Sequence, residues 1–191
     1  MKTKNKYILL SILVVGLITI DLITKFLCEG IDISVIPNFF SLVSVHNYGA
    51  GLGILSGKTT LLIILTTIFL LLFCLYDVVC KKNSKIYVVA ISFIFAGAVG
   101  NLIDRIFLGY VRDFLYFNIK LMPYYFNVAD VLLTVGIILF FIDILFFGDK
   151  KNKKIDQNKN ENNTTFDKHQ IFPKLLSVNL LFQHRPEENL Q

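Results

Sequence analysis

Cysteine is scarce in this chain: Cys28, Cys74 and Cys80 are the only three, with no C-x-x-C and no histidine at ligand spacing. That odd, scattered set excludes a disulfide framework and a zinc site, so the thiols are read as small apolar side chains. Arginine is as sparse, at positions 105, 112 and 185 without clustering, and the formal net charge of +5 is therefore not the footprint of a nucleic-acid binder. No small-residue cleavage site follows the basic, apolar start; Asp21 and Lys25 come next, and the segment reads as an uncleaved first helix. No G-x-S-x-G elbow surrounds Ser56 near Lys58, and His46 has no acid within sequence reach, which removes serine chemistry. A phosphate-binding loop is missing too, because GLGILSGKTT has Leu52 where that loop needs glycine, with Gly51 and Gly53 each one position off.

What the chain has is apolar length. Its 191 residues are 54% hydrophobic, with a mean hydropathy of +0.63, too apolar for an ordinary soluble domain. Four stretches, Tyr7 to Leu27, Thr59 to Cys80, Ile86 to Ile103 and Phe126 to Phe147, can each cross a bilayer core of roughly 30 Å at about 1.5 Å per residue. None alternates in polarity as a barrel strand does, so the backbone must satisfy itself as helix. FFSLVSVHN and VRDFLYFNI read as short extended pieces, and the glycines of NYGAGLGIL as a tight return toward the membrane. The expected fold class is an all-α integral membrane protein of four transmembrane helices with a small outward-facing β element.

Lysines set the orientation, since positive residues near helix ends stay cytoplasmic. Lys2, Lys4 and Lys6, then Lys81, Lys82 and Lys85, then Lys150, Lys151, Lys153 and Lys154 all fall on one side. Both termini are expected in the cytoplasm, with the connections Cys28 to Lys58 and Asp104 to Tyr125 facing outward. Residues 1–148 form the membrane domain; 149–191, rich in Lys, Asn, Asp and Gln, read as a disordered cytoplasmic tail.

Against this apolar background the acids stand out, because an ionisable side chain at a membrane helix centre costs about 2.5–3.5 kcal/mol on insertion scales. Asp113, in VRDF, and Asp130, in FNVAD, flank the outer side of the last span. Asn101, Asp104 and Arg105, at i, i+3 and i+4, share a helix face and can pair with one another; Asn127 and Asp130 share another. Together they would line one outward pocket, the alternative being helix capping and snorkelling at the interface. Asp21 and Lys25 are spaced i, i+4 in the favourable order for an ion pair. Asp77 and Asp143, single acids near the cytoplasmic ends with no polar company, receive no function. What remains is carboxylate chemistry without metal, thiol or serine: two acids held close cannot both ionise easily, so one keeps a proton and the other activates water. A proton or ion transporter using the same acids as a relay is the runner-up, weakened by the lack of internal repeats or broken helices, and a noncatalytic scaffold is the third reading.

The blocks D-x-x-T-K at Asp21 to Lys25, H-N-x-G-A at His46 to Ala50, GAVGNLIDR at Gly97 to Arg105, GYVRDF at Gly109 to Phe114 and FNVAD at Phe126 to Asp130 resemble, in order, those of lipoprotein signal peptidase, or signal peptidase II. The resemblance covers roughly residues 5–148. It implies a membrane aspartyl endopeptidase that removes signal peptides from diacylglyceryl-modified bacterial prolipoproteins, cutting before the lipid-modified cysteine. It further implies a catalytic dyad of Asp113 and Asp130, with Asp21, Lys25, Asn47, Gly97, Asn101, Arg105, Asn127 and Ala129 in support, and Asp104 as a structural match. No metal or other cofactor and no nucleic acid is implied. The expected partners are prolipoproteins and membrane lipid, the expected state a monomer, and the expected location the bacterial cytoplasmic (inner) membrane with the site toward its outer face. Family members often have Ala and Phe where Gly51 and Leu52 stand.

Overall fold

In the first helix the only buried residues are charged or basic-paired: Lys6, Asp21 and Lys25, while Ile12, Val15 and Phe26 are exposed. Such an inside-out pattern is what a lipid solvent dictates, since hydrocarbon accepts apolar side chains and ionisable ones must turn to the bundle interior. The computed structural model describes residues 3–51, 54–80, 82–119 and 122–147. In order these form α1 (Thr3–Leu27), β1 (Asp32–Ile36), β2 (Phe40–Asn47), α2 (Thr59–Cys80), α3 (Lys85–Leu108), β3 (Val111–Ile119), β4 (Met122–Phe126) and α4 (Val128–Phe147). All four helices are long and apolar enough to span a membrane. The chain divides into one unit through Asp143 and a second from Ile144 onward, and the tail expected over 149–191 lies outside the described residues.

α3 is the central post, buried from Tyr87 through Asp104 along one broad face. Ser84 caps its start by accepting from the Tyr87 N–H at 3.1 Å. Small residues let its neighbours approach closely. A Cβ on Gly97 would collide with the Ala129 carbonyl oxygen, and one on Gly136 would stand 2.9 Å from Ile94 Cγ1. Without a hydrophobic drive between helices in lipid, this close backbone packing is the main attraction available.

The β element proves to be a four-stranded antiparallel sheet in the order β1-β2-β3-β4. β2 and β3 fall within the extended pieces read from the sequence; β1 and β4 were not anticipated there. Three helix boundaries also shift by two residues or more, and α3 starts one residue earlier, at Lys85. α1 starts at Thr3, α3 continues to Leu108 rather than Ile103, and α4 starts at Val128 rather than Phe126. α3 runs on because Asp104 and Arg105 interrupt the apolar run without interrupting the backbone ladder. It stops at Gly109, whose φ of 84° is left-handed and whose N–H reaches back to the Arg105 carbonyl. That cap turns the chain straight into β3 and so aims Asp113 at the bundle.

Candidate functional site

Asn127 is the hinge of the site. Fully buried between β4 and α4, it caps α4 through a reciprocal pair of bonds: its Oδ1 accepts from the Asp130 N–H at 3.1 Å, and its own N–H donates to Asp130 Oδ2 at 3.2 Å. This is a capping box written with Asn and Asp. The same side chain donates from Nδ2 to Asp113 Oδ1 at 2.6 Å and to Asn101 Oδ1 at 3.1 Å. One residue thus ties both acids together, and the capping alternative and the functional reading are the same geometry.

Asp113 arrives on β3, which pairs with β2 so that Asn47 faces Val111; residues two apart share a sheet face, and Asn47 Nδ2 reaches diagonally to Asp113 Oδ2 at 2.8 Å. Asn47 is itself held by the Gly49 N–H, which donates to its Oδ1 at 2.9 Å. Only 2% exposed, the Asp113 carboxyl is pushed up to about 6, first by burial and then by the charge of Asp130, with the amide donors of Asn47 and Asn127 opposing the rise.

On the other side, Asn101 Nδ2 donates to Asp130 Oδ1 at 2.8 Å while its Oδ1 accepts from Lys25 Nζ at 2.9 Å. Lys25 lies 2.8 Å from Asp21 Oδ2, off the hydrogen-bond direction, and 3.4 Å from Asp104 Oδ2. Asp21 Oδ1 in turn accepts from the Ala129 N–H at 2.8 Å, which ties α1 to the first turn of α4. Gly100 leaves the room for this, since a Cβ there would come within 2.5 Å of Asp21 Oδ2. Gly97 and Ala129 therefore serve by being small.

Three sequence readings change here. Asp104 does not pair with Arg105: it turns to Arg112 on β3, 2.7 Å away, and to Lys25, because adjacent residues on a helix point in different directions. Arg105 instead donates to the Gly49 carbonyl at 2.9 Å and the Asn101 carbonyl at 3.4 Å, pinning the loop after β2. The bond to Asp104 raises Arg112 further above its ordinary value, and Arg112 is a supporting residue the sequence did not single out. Nor are Asp77 and Asp143 without company. Asp77 pairs with Lys6, and Asp143 with Lys82 and Ser84, partners 59 to 71 residues away that local spacing could not show. His46 also has its acid, Glu29 at 2.8 Å, on the exposed side of the sheet, where its ring stacks on Tyr110.

Asp130 stands at the edge of two clefts. One, of about 330 Å³, is lined by Gly51, Phe69, Asn101, Arg105 and Leu133; the other, of about 220 Å³, by Tyr124, Phe126, Val131 and Thr134. Of the expected pocket set, Asn101, Arg105 and Asp130 line a cleft, whereas Asp104 and Asn127 sit behind it. Among the described residues no three His, Cys, Asp or Glu side chains gather as a metal site. Within the cluster four carboxylates, at 21, 104, 113 and 130, meet three cations, at 25, 105 and 112, so the whole is neutral when Asp113 and Asp130 share one proton.

The family model for signal peptidase (SPase) II matches residues 13–146. The chain belongs to the signal peptidase II family. It is similar to proteins named lipoprotein signal peptidase: 40% identical over 141 residues to that of Clostridium novyi, covering 70% of this chain and 95% of the relative. To that of Clostridium tetani it is 41% identical over 151 residues, 75% and 96% of the two chains. To that of Staphylococcus aureus it is 40% identical over 158 residues, 79% and 96%. Two bacterial membrane enzyme structures determined by the in meso method share the fold at 38% identity. Their TM-scores are 0.65 and 0.62, covering 75% and 72% of this chain and 90% and 92% of theirs. Membership in the signal peptidase II family makes the chain an aspartic-type membrane peptidase.

Proposed function

We propose that this signal peptidase II removes signal peptides from diacylglyceryl-modified prolipoproteins, cutting on the N-terminal side of the lipid-modified cysteine, with Asp113 and Asp130 as its catalytic dyad. The observation that carries the dyad is Asn127, bonded to one carboxylate by its side chain and to the other by its backbone N–H. Two acids so tied, in a buried cluster that is neutral with one shared proton, supply a base and an acid together. The ionised carboxylate takes a proton from water as the water oxygen attacks the scissile carbonyl carbon. The protonated one hands its proton to the carbonyl oxygen. When the tetrahedral intermediate collapses, the C–N bond breaks, the departing amine takes the proton that the first carboxylate gained from water, and a hydroxyl of the intermediate returns its proton to the other carboxylate as the C=O re-forms. Exclusion of bulk water at the membrane edge strengthens each of these interactions.

Asn47, Asn101 and Asn127 position the acids; Lys25, held by Asp21 and Asp104, anchors Asn101; Gly97 and Ala129 let α3 and α4 close. The catalytic unit is residues 1–148, acting as a monomer, since both acids and their supports come from one chain. It lies in the bacterial cytoplasmic membrane with α1 starting and α4 ending on the cytoplasmic side and the dyad toward the outer face. Lys6, in the first turn of α1, and Lys82, in the connection between α2 and α3, lie at the end of the helices away from the acids, which supports that orientation.

The test is incubation of the purified chain with a diacylglyceryl-modified prolipoprotein and with its unmodified precursor. Mass spectrometry is expected to show cleavage before the lipidated cysteine only; equal cleavage of both precursors, or of neither, would contradict the reading.

A further inference from the structure

We propose that Lys25 is a positioning residue for this reaction, acting through Asn101 to hold Asp130 as the ionised member of the pair and leave the shared proton on Asp113. The inference rests on the dyad reading above and adds a direction to it. An ammonium group has three protons and no lone pair, so only the carbonyl oxygen of Asn101 can face Lys25 at 2.9 Å, and the amide nitrogen is thereby turned to Asp130, 2.8 Å away. A cation on the oxygen also makes that nitrogen a stronger donor, because hydrogen bonds in a chain polarise one another. The second oxygen of Asp130 accepts a backbone N–H in the first turn of α4, where the helix end favours negative charge. Asp113 has neither advantage. Its bonds come from Asn47 and from Asn127, whose own oxygen accepts only from a neutral backbone N–H.

The charged groups facing the pair come from every packed element: Asp21 and Lys25 from α1, Asp104 and Arg105 from α3, and Arg112 from β3, with the Tyr124 hydroxyl on β4. Asp21 and Asp104 fix Lys25 from two sides, and Arg112 engages Asp104, so one ammonium is left aimed at Asn101. Arg105 spends its hydrogen bonds on the carbonyls of Gly49 and Asn101 and does not break the asymmetry. The position of Asp113 at about 6 agrees with its being the acid that keeps the proton.

The test uses the full chain in detergent and measures kcat and KM against pH for wild type, Asp21→Asn, Asn101→Leu, the charge-balanced double variant Asp21→Asn/Lys25→Met, and the triple variant that adds Asn101→Leu. An asparagine at 21 can still accept from the Ala129 N–H. The expected result for the balanced variant is an acid limb moved to higher pH by about 1 unit, the lower end for loss of a nearby opposite charge. With it go a kcat at pH 7 reduced about tenfold and a KM within about threefold. The triple variant is expected to show no further movement beyond that of Asn101→Leu, since the effect travels through Asn101. A folded balanced variant with the wild-type limb, or strictly additive shifts, would overturn the proposal; a merely structural lysine would lower the active fraction at every pH alike. Should the balanced variant not fold, Asn101→Leu, which leaves Lys25 with both carboxylates, can still refute the relay: an unmoved limb overturns it. A wild-type chain that cuts no prolipoprotein would defeat the dyad reading instead, a distinguishable failure.

Discussion

Asn127 does two jobs that substitution can separate. Replacing it with alanine removes the cap of α4, worth about 1 kcal/mol, and the hydrogen bond to the buried Asp113 carboxylate, worth about 1.5–3 kcal/mol, for a total near 3 kcal/mol. Serine is nearly as good a cap but too short to reach Asp113 and Asn101 together, so Asn127→Ser should recover only the cap contribution. For a chain of this size that is about 2–4 °C of melting temperature. Cleavage should not recover with it. Freed from the bridge, the two acids lose their mutual registration, and displacements of about 1 Å can cost about 10²-fold in rate. The assay is thermal unfolding of the detergent-solubilised variants beside turnover of a lipidated precursor. A serine variant that regained wild-type cleavage together with the lost stability would refute the reasoning, showing that Asn127 acts as a cap alone.

Other outcomes follow from the same geometry. Because Asp113 in the folded chain sits above its unfolded value of about 3.9, the native state binds the extra proton between about pH 4 and 6, and stability falls as pH rises through that window. About two units correspond to roughly 3 kcal/mol at neutral pH. Asp113→Asn, less about 1 kcal/mol for one misdirected amide, should therefore melt higher than wild type at pH 8 and lose that advantage by pH 4; an advantage independent of pH would contradict this. Gly97→Val should push the first turn of α4 away, since even a Cβ meets the Ala129 carbonyl, and cleavage should drop by about 10²-fold or more; wild-type rates would show that α4 can shift freely. Asp77→Asn leaves Lys6 buried without its partner and should cost about 3–5 kcal/mol in denaturant or thermal unfolding, while the folded fraction cleaves normally.

The sequence carried the spans, the sheet's inner strands and the two acids, because each is a local signal: apolar length, extended composition, an ionisable group where it is costly. What it did not carry was pairing. Asp104 and Arg105 are neighbours in the chain and were read as able to pair, yet the helix sends them apart and Arg112, eight residues on from Asp104, takes the acid instead. Lys6 and Asp77 are 71 residues apart, and only the tertiary fold, with α1 and α2 both packed on α3, joins them. The end of α3 was misplaced because hydropathy reads side chains, while helix continuation is decided by the backbone ladder and by Gly109. β1 is five exposed residues, too short to announce itself by alternation.

The central claim is that Asp113 and Asp130 cut the peptide bond together. It is tested most directly by cleavage of a purified diacylglyceryl-modified prolipoprotein by wild type, Asp113→Asn and Asp130→Asn, all folded and all with a chelator present. The account predicts cleavage by wild type and none by either variant; retained cleavage in either folded variant would contradict it.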